Sequence, residues 1–311
     1  MPAFVLLILG IIGLWLGTEI LVRAAINIAQ YYQLSQVFIG LSILAIGTDL
    51  PEMVVAINAS IQQLNGIESS GVIIGTAIGS GIGQISAVLG ISGYFSYLIL
   101  TKDQLKKEGV VLLGSIVLLF LFTLDSKIDR IEGISMLLVY LIYYVLLLGR
   151  QEKSDVKPKL PINIYYNIIF LIGGILIVIF TSELVVDNGI QLAERLGVSQ
   201  SFIGIVLIGL GTSLPELAVS LNAAIKGASG LSVGNIIGSN IFDILMPIGI
   251  GATISPIAVD FDLIKIDIPF LFVLSATVLF FFRKKKGLQK KEAISLVIIY
   301  LVYVIFKVST A

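Results

Sequence analysis

"GTDLPEMVVAINAS", residues 47–60, sits in one of the most apolar stretches of the chain, and "GTSLPELAVSLNAA", residues 211–224, repeats it 164 positions later. Asp49, Glu52 and Glu216 each lie close to a proline in surroundings that otherwise read as hydrocarbon-soluble. "SQVFIG" at 35–40 and "SQSFIG" at 199–204 keep the same offset. A second pair, "GTAIGSGIGQI" at 75–85 and "GNIIGSNIFDI" at 234–244, is offset by 159, the intervening loop being five residues shorter in the second copy. The chain is an internal duplication, and the two glutamates are part of what was duplicated, whereas Asp49 faces Ser213 in the second copy.

Of 311 residues, 57 % are hydrophobic and 13 % charged, with a mean hydropathy of +1.04; that leaves too little polar surface to cover a water-soluble fold of this size. Apolar runs of about 17 to 25 residues have the length a helix needs to cross a hydrocarbon core of roughly 30 Å, and they lack the alternation of a membrane β-barrel. The expected class is an all-α integral membrane protein, multi-pass in the cell membrane. "MPAFVLLILGIIGLWLG" has neither a basic start nor a small-residue cleavage site, so it reads as the first span rather than a signal peptide. Histidine and cysteine are absent, which excludes disulfides, thiolate chemistry and imidazole-held zinc or copper. Any metal must be held by oxygen. Basic and acidic residues balance, and neither a nucleic-acid partner nor an obligate protein partner is expected beside the lipid bilayer.

Hydropathy places spans near 4–29, 36–62, 70–97, 109–124, 131–149, 163–188, 201–226, 230–253, 263–282 and 291–307, ten transmembrane helices in all. With ten spans, the basic clusters at 102–107, 150–159 and 283–291 fall on one side, so that side is cytoplasmic and both termini are extracellular. The hydrophilic segment 151–161 is a cytoplasmic linker between a first five-helix repeat, 1–150, and a second, 162–311. An odd number of spans per half forces the second half to sit upside down, giving two inverted-topology five-helix repeats.

The first motif has a clear physical reading. Pro51 and Pro215 carry no amide hydrogen, so the carbonyls of Gly47 and Gly211 lose their helical partners and open oxygens at mid-span. Such backbone survives at membrane depth only where it lines a cavity or is packed in protein, and its oxygens suit hard cations. Thr48 and Asp49 precede Glu52 by four and three residues, and Thr212 and Ser213 precede Glu216 in the same way, so each motif gathers hydroxyls and a carboxylate on one helical face. In the second motif Ser80 with Gln84, and Ser239 with Asp243, also share a face. Packed together, the four helices bring Asp49, Glu52, Glu216 and Asp243 to one place. Four such acids cost roughly 10 kcal/mol or more if left uncompensated, and no basic residue lies at matching depth, so bound cations or protons must neutralise them. Glutamates, freed carbonyls and waters can meet the six to eight oxygens that Ca2+ requires, while weaker hydroxyl and carbonyl sites suit Na+.

"GTDLPE…GTAIGSGIGQI" and "GTSLPE…GNIIGSNIFDI" resemble the two α-repeats of the sodium/calcium exchanger family within the cation/calcium antiporter superfamily, with the repeat motifs spanning 40–92 and 204–256. The resemblance implies a secondary antiporter exchanging Ca2+ for Na+ by alternating access. It implies that Glu52 and Glu216 share the Ca2+ and that Ser80, Ser213, Ser239 and backbone oxygens form flanking Na+ sites. No cofactor is implied; both ions are bound as substrates. Asp49 stands where the family usually has serine, Gln84 where it has asparagine or aspartate, and Gly81 and Gly83 replace bulkier residues.

Three other readings compete. A Ca2+/H+ antiporter on the same scaffold is favoured by the extra carboxylate of Asp49. An intramembrane enzyme built on paired acids would need Y-D with G-x-G-D, or two D-x-x-x-D clusters at the membrane surface, and neither occurs, so the protein is read as no enzyme. A passive channel fits poorly with so dense a set of acids, which bind too tightly for fast conduction. The hydroxyls of Thr48, Thr212, Ser80 and Ser239 have a plainer option, bonding back to the preceding helical turn. Asn58 and Asn222 read as interhelical hydrogen-bonding groups, and Glu19 with Arg23 as a solvated pair near a span end.

Overall fold

The computed structural model describes residues 3–149, 163–195, 211–285 and 287–310. The linker 151–161, "SQSFIG" and the first half of the span expected at 201–226 lie outside the described residues. In order, the helices are α1 (Ala3–Tyr31), α2 (Gln36–Thr48), α3 (Leu50–Leu64), α4 (Ser70–Phe95), α5 (Lys102–Phe122), α6 (Arg130–Gly149), α7 (Ile164–Arg195), α8 (Leu214–Ile225), α9 (Ser229–Ile254), α10 (Leu263–Lys284) and α11 (Lys290–Thr310). Among the described residues seven are long and apolar enough to cross a membrane, and α2 with α3, bent by 44° at a single residue, makes an eighth. The span expected at 109–124 is longer than hydropathy suggests: α5 starts at Lys102 behind a Thr101–Gln104 capping box, and its first turns are charged.

The molecule is an all-helical bundle whose peripheral helices are apolar on their exposed faces. Phe4, Trp15, Ile131, Tyr165, Phe180 and Ile305 are each more than half exposed, which is stable only against hydrocarbon. The chain is thus a multi-pass integral membrane protein. At its centre α9 is buried without interruption from Leu231 to Leu245. Small residues allow this: a Cβ on Gly234 would lie 2.6 Å from the Val37 carbonyl oxygen, and one on Gly238 2.8 Å from Leu41 Cα, so α2 and α9 touch backbone to backbone.

Contacts recur between the halves. α1 packs antiparallel to α7, with Gly10, Gly13 and Gly17 against Val185, Thr181 and Ile177, and Leu21 against Gly174. α6 packs on α9 where Gly133 meets Gly249 and Ala252, and α11 packs on α4 where Ala293 meets Gly90 and Gly93. Gly90 and Gly249 are 159 residues apart, so each half lays its last helix on the second-motif helix of the other. Buried tyrosine–acid bonds repeat too: Tyr143 donates to Glu108 at 2.9 Å and Tyr303 to Asp267 at 2.8 Å, with Lys307 also on Asp267. A two-residue ribbon, β1 (Lys127–Ile128) with β2 (Ile257–Ala258), ties the ends of α5 and α9 together.

Candidate cation site

The two G-T-x-L-P-E motifs take the same non-helical backbone at equivalent residues, each just before a helix. Asp49, between α2 and α3, has φ −89° and ψ 4°, and Ser213, before α8, has φ −89° and ψ 11°. Proline follows at the start of the new helix, where a missing N–H is no loss. Glu52 and Glu216 therefore lie in the first turn of a helix, whose open amides favour negative charge.

This backbone brings three carboxyl groups together. One oxygen from each of Asp49, Glu52 and Glu216 lies within 4.8 Å of the others. Oxygens on opposite sides of one Ca2+ sit roughly 5 Å apart, so the cluster has the span of a single ion's coordination shell. All three residues are at most 4 % exposed, and neither oxygen of any of them receives a hydrogen bond. Among the described residues no lysine or arginine pairs with them. A narrow crevice lined by Val55, Ala56, Ile73, Thr76, Ala77 and Pro247 runs beside Glu52.

Asp243 stands outside this trio. Its Oδ2 accepts from Gln84 Nε2 at 3.2 Å, and Gln84 Oε1 accepts from Asn240 Nδ2 at 2.7 Å, leaving Asp243 Oδ1 without a partner. The backbone hydrogen-bond ladder is altered at both positions. Gln84 opens a π turn, Gln84–Val88, while Pro247 has no N–H to offer the carbonyl of Asp243. The Asp243 carbonyl thus loses its helical donor, whereas the Gln84 carbonyl accepts from the Leu89 amide one residue further on than in a regular helix.

The hydroxyls divide. Thr48 bonds back to the Leu44 carbonyl at 3.0 Å, the plainer of its two options. Ser80 and Thr212 meet across the halves at 3.1 Å. Ser213 and Ser239 are buried with no partner, which leaves them available to a ligand. Asn222 makes the expected interhelical bonds, to Thr18 and Glu19, whereas Asn58 is exposed. Glu19 and Arg23 do pair, but Glu19 also takes Lys226 at 2.7 Å, so the pair ties α1 to α8 instead of standing in solvent.

Two contributors were not singled out in the sequence. Asn240 has a visible signal, since "GSN" faces "GSG" in the first copy, so that Asn240 and Gly81 hold equivalent positions. Pro247 has one as well, four residues after Asp243.

The sequence profile described as sodium/calcium exchanger protein matches residues 2–149 and again 166–309. An uncharacterized membrane protein of Methanocaldococcus jannaschii is 35 % identical over 79 % of this chain and 80 % of its own length. The sodium/calcium exchanger MaX1 of Methanosarcina acetivorans is 29 % identical over 97 % of each chain. A solved structure of the sodium-calcium exchanger NCX_Mj, soaked with Na+ and Sr2+, superposes with a TM-score of 0.85 at 29 % identity over 98 % of both chains. With the family profile covering both halves, this chain belongs to the sodium/calcium exchanger family.

Proposed function

We propose that the chain is a secondary antiporter that exchanges Ca2+ for Na+, with Glu52, Glu216 and Asp49 holding the divalent ion between the two kinked helices. The observation that carries this is the trio of buried carboxylates, within 4.8 Å of one another and without a single hydrogen-bond donor. Such a group is tolerable inside a membrane protein only when bound cations or protons neutralise it, and three carboxylates at the spacing of one coordination shell favour the metal ion. Ser213, Ser239, the Ser80–Thr212 pair, Thr48 through its backbone oxygen, and Asp243 with Gln84 surround the trio and supply weaker sites for Na+.

The architecture we infer is ten spans in two inverted five-helix halves, with both termini outside and the linker in the cytoplasm. It is supported by the antiparallel run of α1 on α7, by the exchanged packing of α6 and α11, and by the matched tyrosine–acid bonds. α5, and α8 with the residues before it, supply the two spans beyond the eight.

Vesicles loaded with Na+ and diluted into Na+-free medium accumulate Ca2+ on this reading, and a pH gradient alone drives none. Uptake driven by the pH gradient and indifferent to Na+ would instead identify protons as the counter-ion, the reading that Asp49 favours. Asp49→Ser removes one of three charges at the ion and leaves both glutamates. Ca2+ affinity in calorimetry then falls about tenfold, a loss of roughly 1.4 kcal/mol, without being abolished.

A further inference from the structure

A groove of about 680 Å³ lies between α5 and α10, lined by Lys102, Leu105, Lys106, Val110, Leu279 and Arg283 among others. Its chemistry is divided along its length. Lys102 and Lys106, one turn apart at the start of α5, face Arg283 at the end of α10, so three cations cluster at one end. Gly109, Val110 and Leu113 continue down α5, and Leu279 lies one turn deeper than Arg283 on α10, so the other end is wholly apolar. A Cβ on Gly109 would come within 3.0 Å of Leu279, which shows how closely the two helices approach at the floor. Among the described residues no acid lines the groove. The nearby acids are engaged elsewhere, Asp103 with Lys107 and Glu108 with Tyr143, and among the described residues no carboxylate pairs with Lys102, Lys106 or Arg283.

The geometry points to a binding site for an anionic phospholipid, its phosphate held by Lys102, Lys106 and Arg283 and an acyl chain laid along Val110, Leu113 and Leu279. Charge at one end and hydrocarbon contact at the other match a lipid, whereas a free phosphate would use the charged end alone. The bound lipid joins a helix of the first half to a helix of the second, and none of its contacts is a residue of the carboxylate trio.

Native mass spectrometry of the intact protein released from detergent tests this with dioleoylphosphatidylglycerol as the probe. The wild-type chain retains one molecule, and phosphatidylcholine at the same concentration is not retained. Combining Lys102→Gln, Lys106→Gln and Arg283→Gln lowers retention about tenfold, while Lys290→Gln with Lys291→Gln, an equally basic stretch off the groove, leaves it unchanged. Val110→Trp keeps all three charges and fills the apolar end, and it too lowers retention; this variant decides the matter if the triple one does not accumulate. Equal retention of phosphatidylcholine, equal loss in the Lys290/Lys291 variant, displacement by inorganic phosphate, or full retention after Val110→Trp overturns the site. Na+-driven Ca2+ uptake by the groove variants reports that they are folded.

Discussion

Glu52→Gln and Glu216→Gln each lower Ca2+ affinity by on the order of 100-fold or more, and Na+-driven uptake disappears with it. The amide keeps the size of the side chain and removes its charge, so packing is undisturbed. At about 4 Å and an effective dielectric near 20, one unit charge contributes about 4 kcal/mol against another, and a divalent ion doubles that. Desolvation of the carboxylate offsets part of it, and what remains still exceeds the roughly 2.7 kcal/mol that separates 100-fold in affinity. Since Glu52 comes from α3 and Glu216 from α8, losing either removes one wall of the site. Calorimetry with Ca2+ on the purified variants, with thermal unfolding alongside, separates lost binding from lost folding. Retained affinity in either variant would remove the proposed site.

Gly234→Val is expected to be the most damaging change to stability. The new Cβ would fall 2.6 Å from the carbonyl oxygen of Val37 and 3.2 Å from Gly40 Cα, both backbone atoms that no rotamer change can move. Relief requires α2 and α9 to separate, and overpacking of this kind costs about 3 kcal/mol. That corresponds to a fall of about 6 °C or more in the unfolding temperature measured in detergent. Gly114→Val, on an exposed face of α5 with nothing within 4 Å, supplies the contrast and leaves the temperature nearly unchanged.

Much of the site was legible because duplication marks it twice. Glu52 and Glu216 share a motif, and the non-helical backbone beside them follows from proline chemistry that needs no tertiary knowledge. The order among the four acids was not legible. The sequence groups Asp243 with the others without ranking them; in the structure Asp49, Glu52 and Glu216 form the tight trio while Asp243 accepts from Gln84, itself bonded to Asn240, a matter of which side chains meet across two helices. Thr48 bonds to its own helix, and the contact of Thr212 with Ser80, 132 residues away, is not visible in the motif. Span limits drifted where charge enters a helix. The first turns of α5 carry lysines that hydropathy reads as loop, but its capping box and the Asp103–Lys107 pair support the helix there. Lys226 as a partner for Glu19 was invisible for the same reason as the acid order: the two are 207 residues apart.

The contact between Gly81 and Asn240 bears on the symmetry of the fold. These residues are equivalent in the two copies, and a Cβ on Gly81 would already press on Asn240 Oδ1 at 3.0 Å. Two identical subunits meeting here would have to present either a pair of asparagines, which crowd each other, or a pair of glycines, which leave no amide to grip a glutamine. Within one polypeptide the two equivalent positions are free to differ, one small and the other large. The grip of Asn240 on Gln84 thus depends on the two copies differing at this one equivalent position.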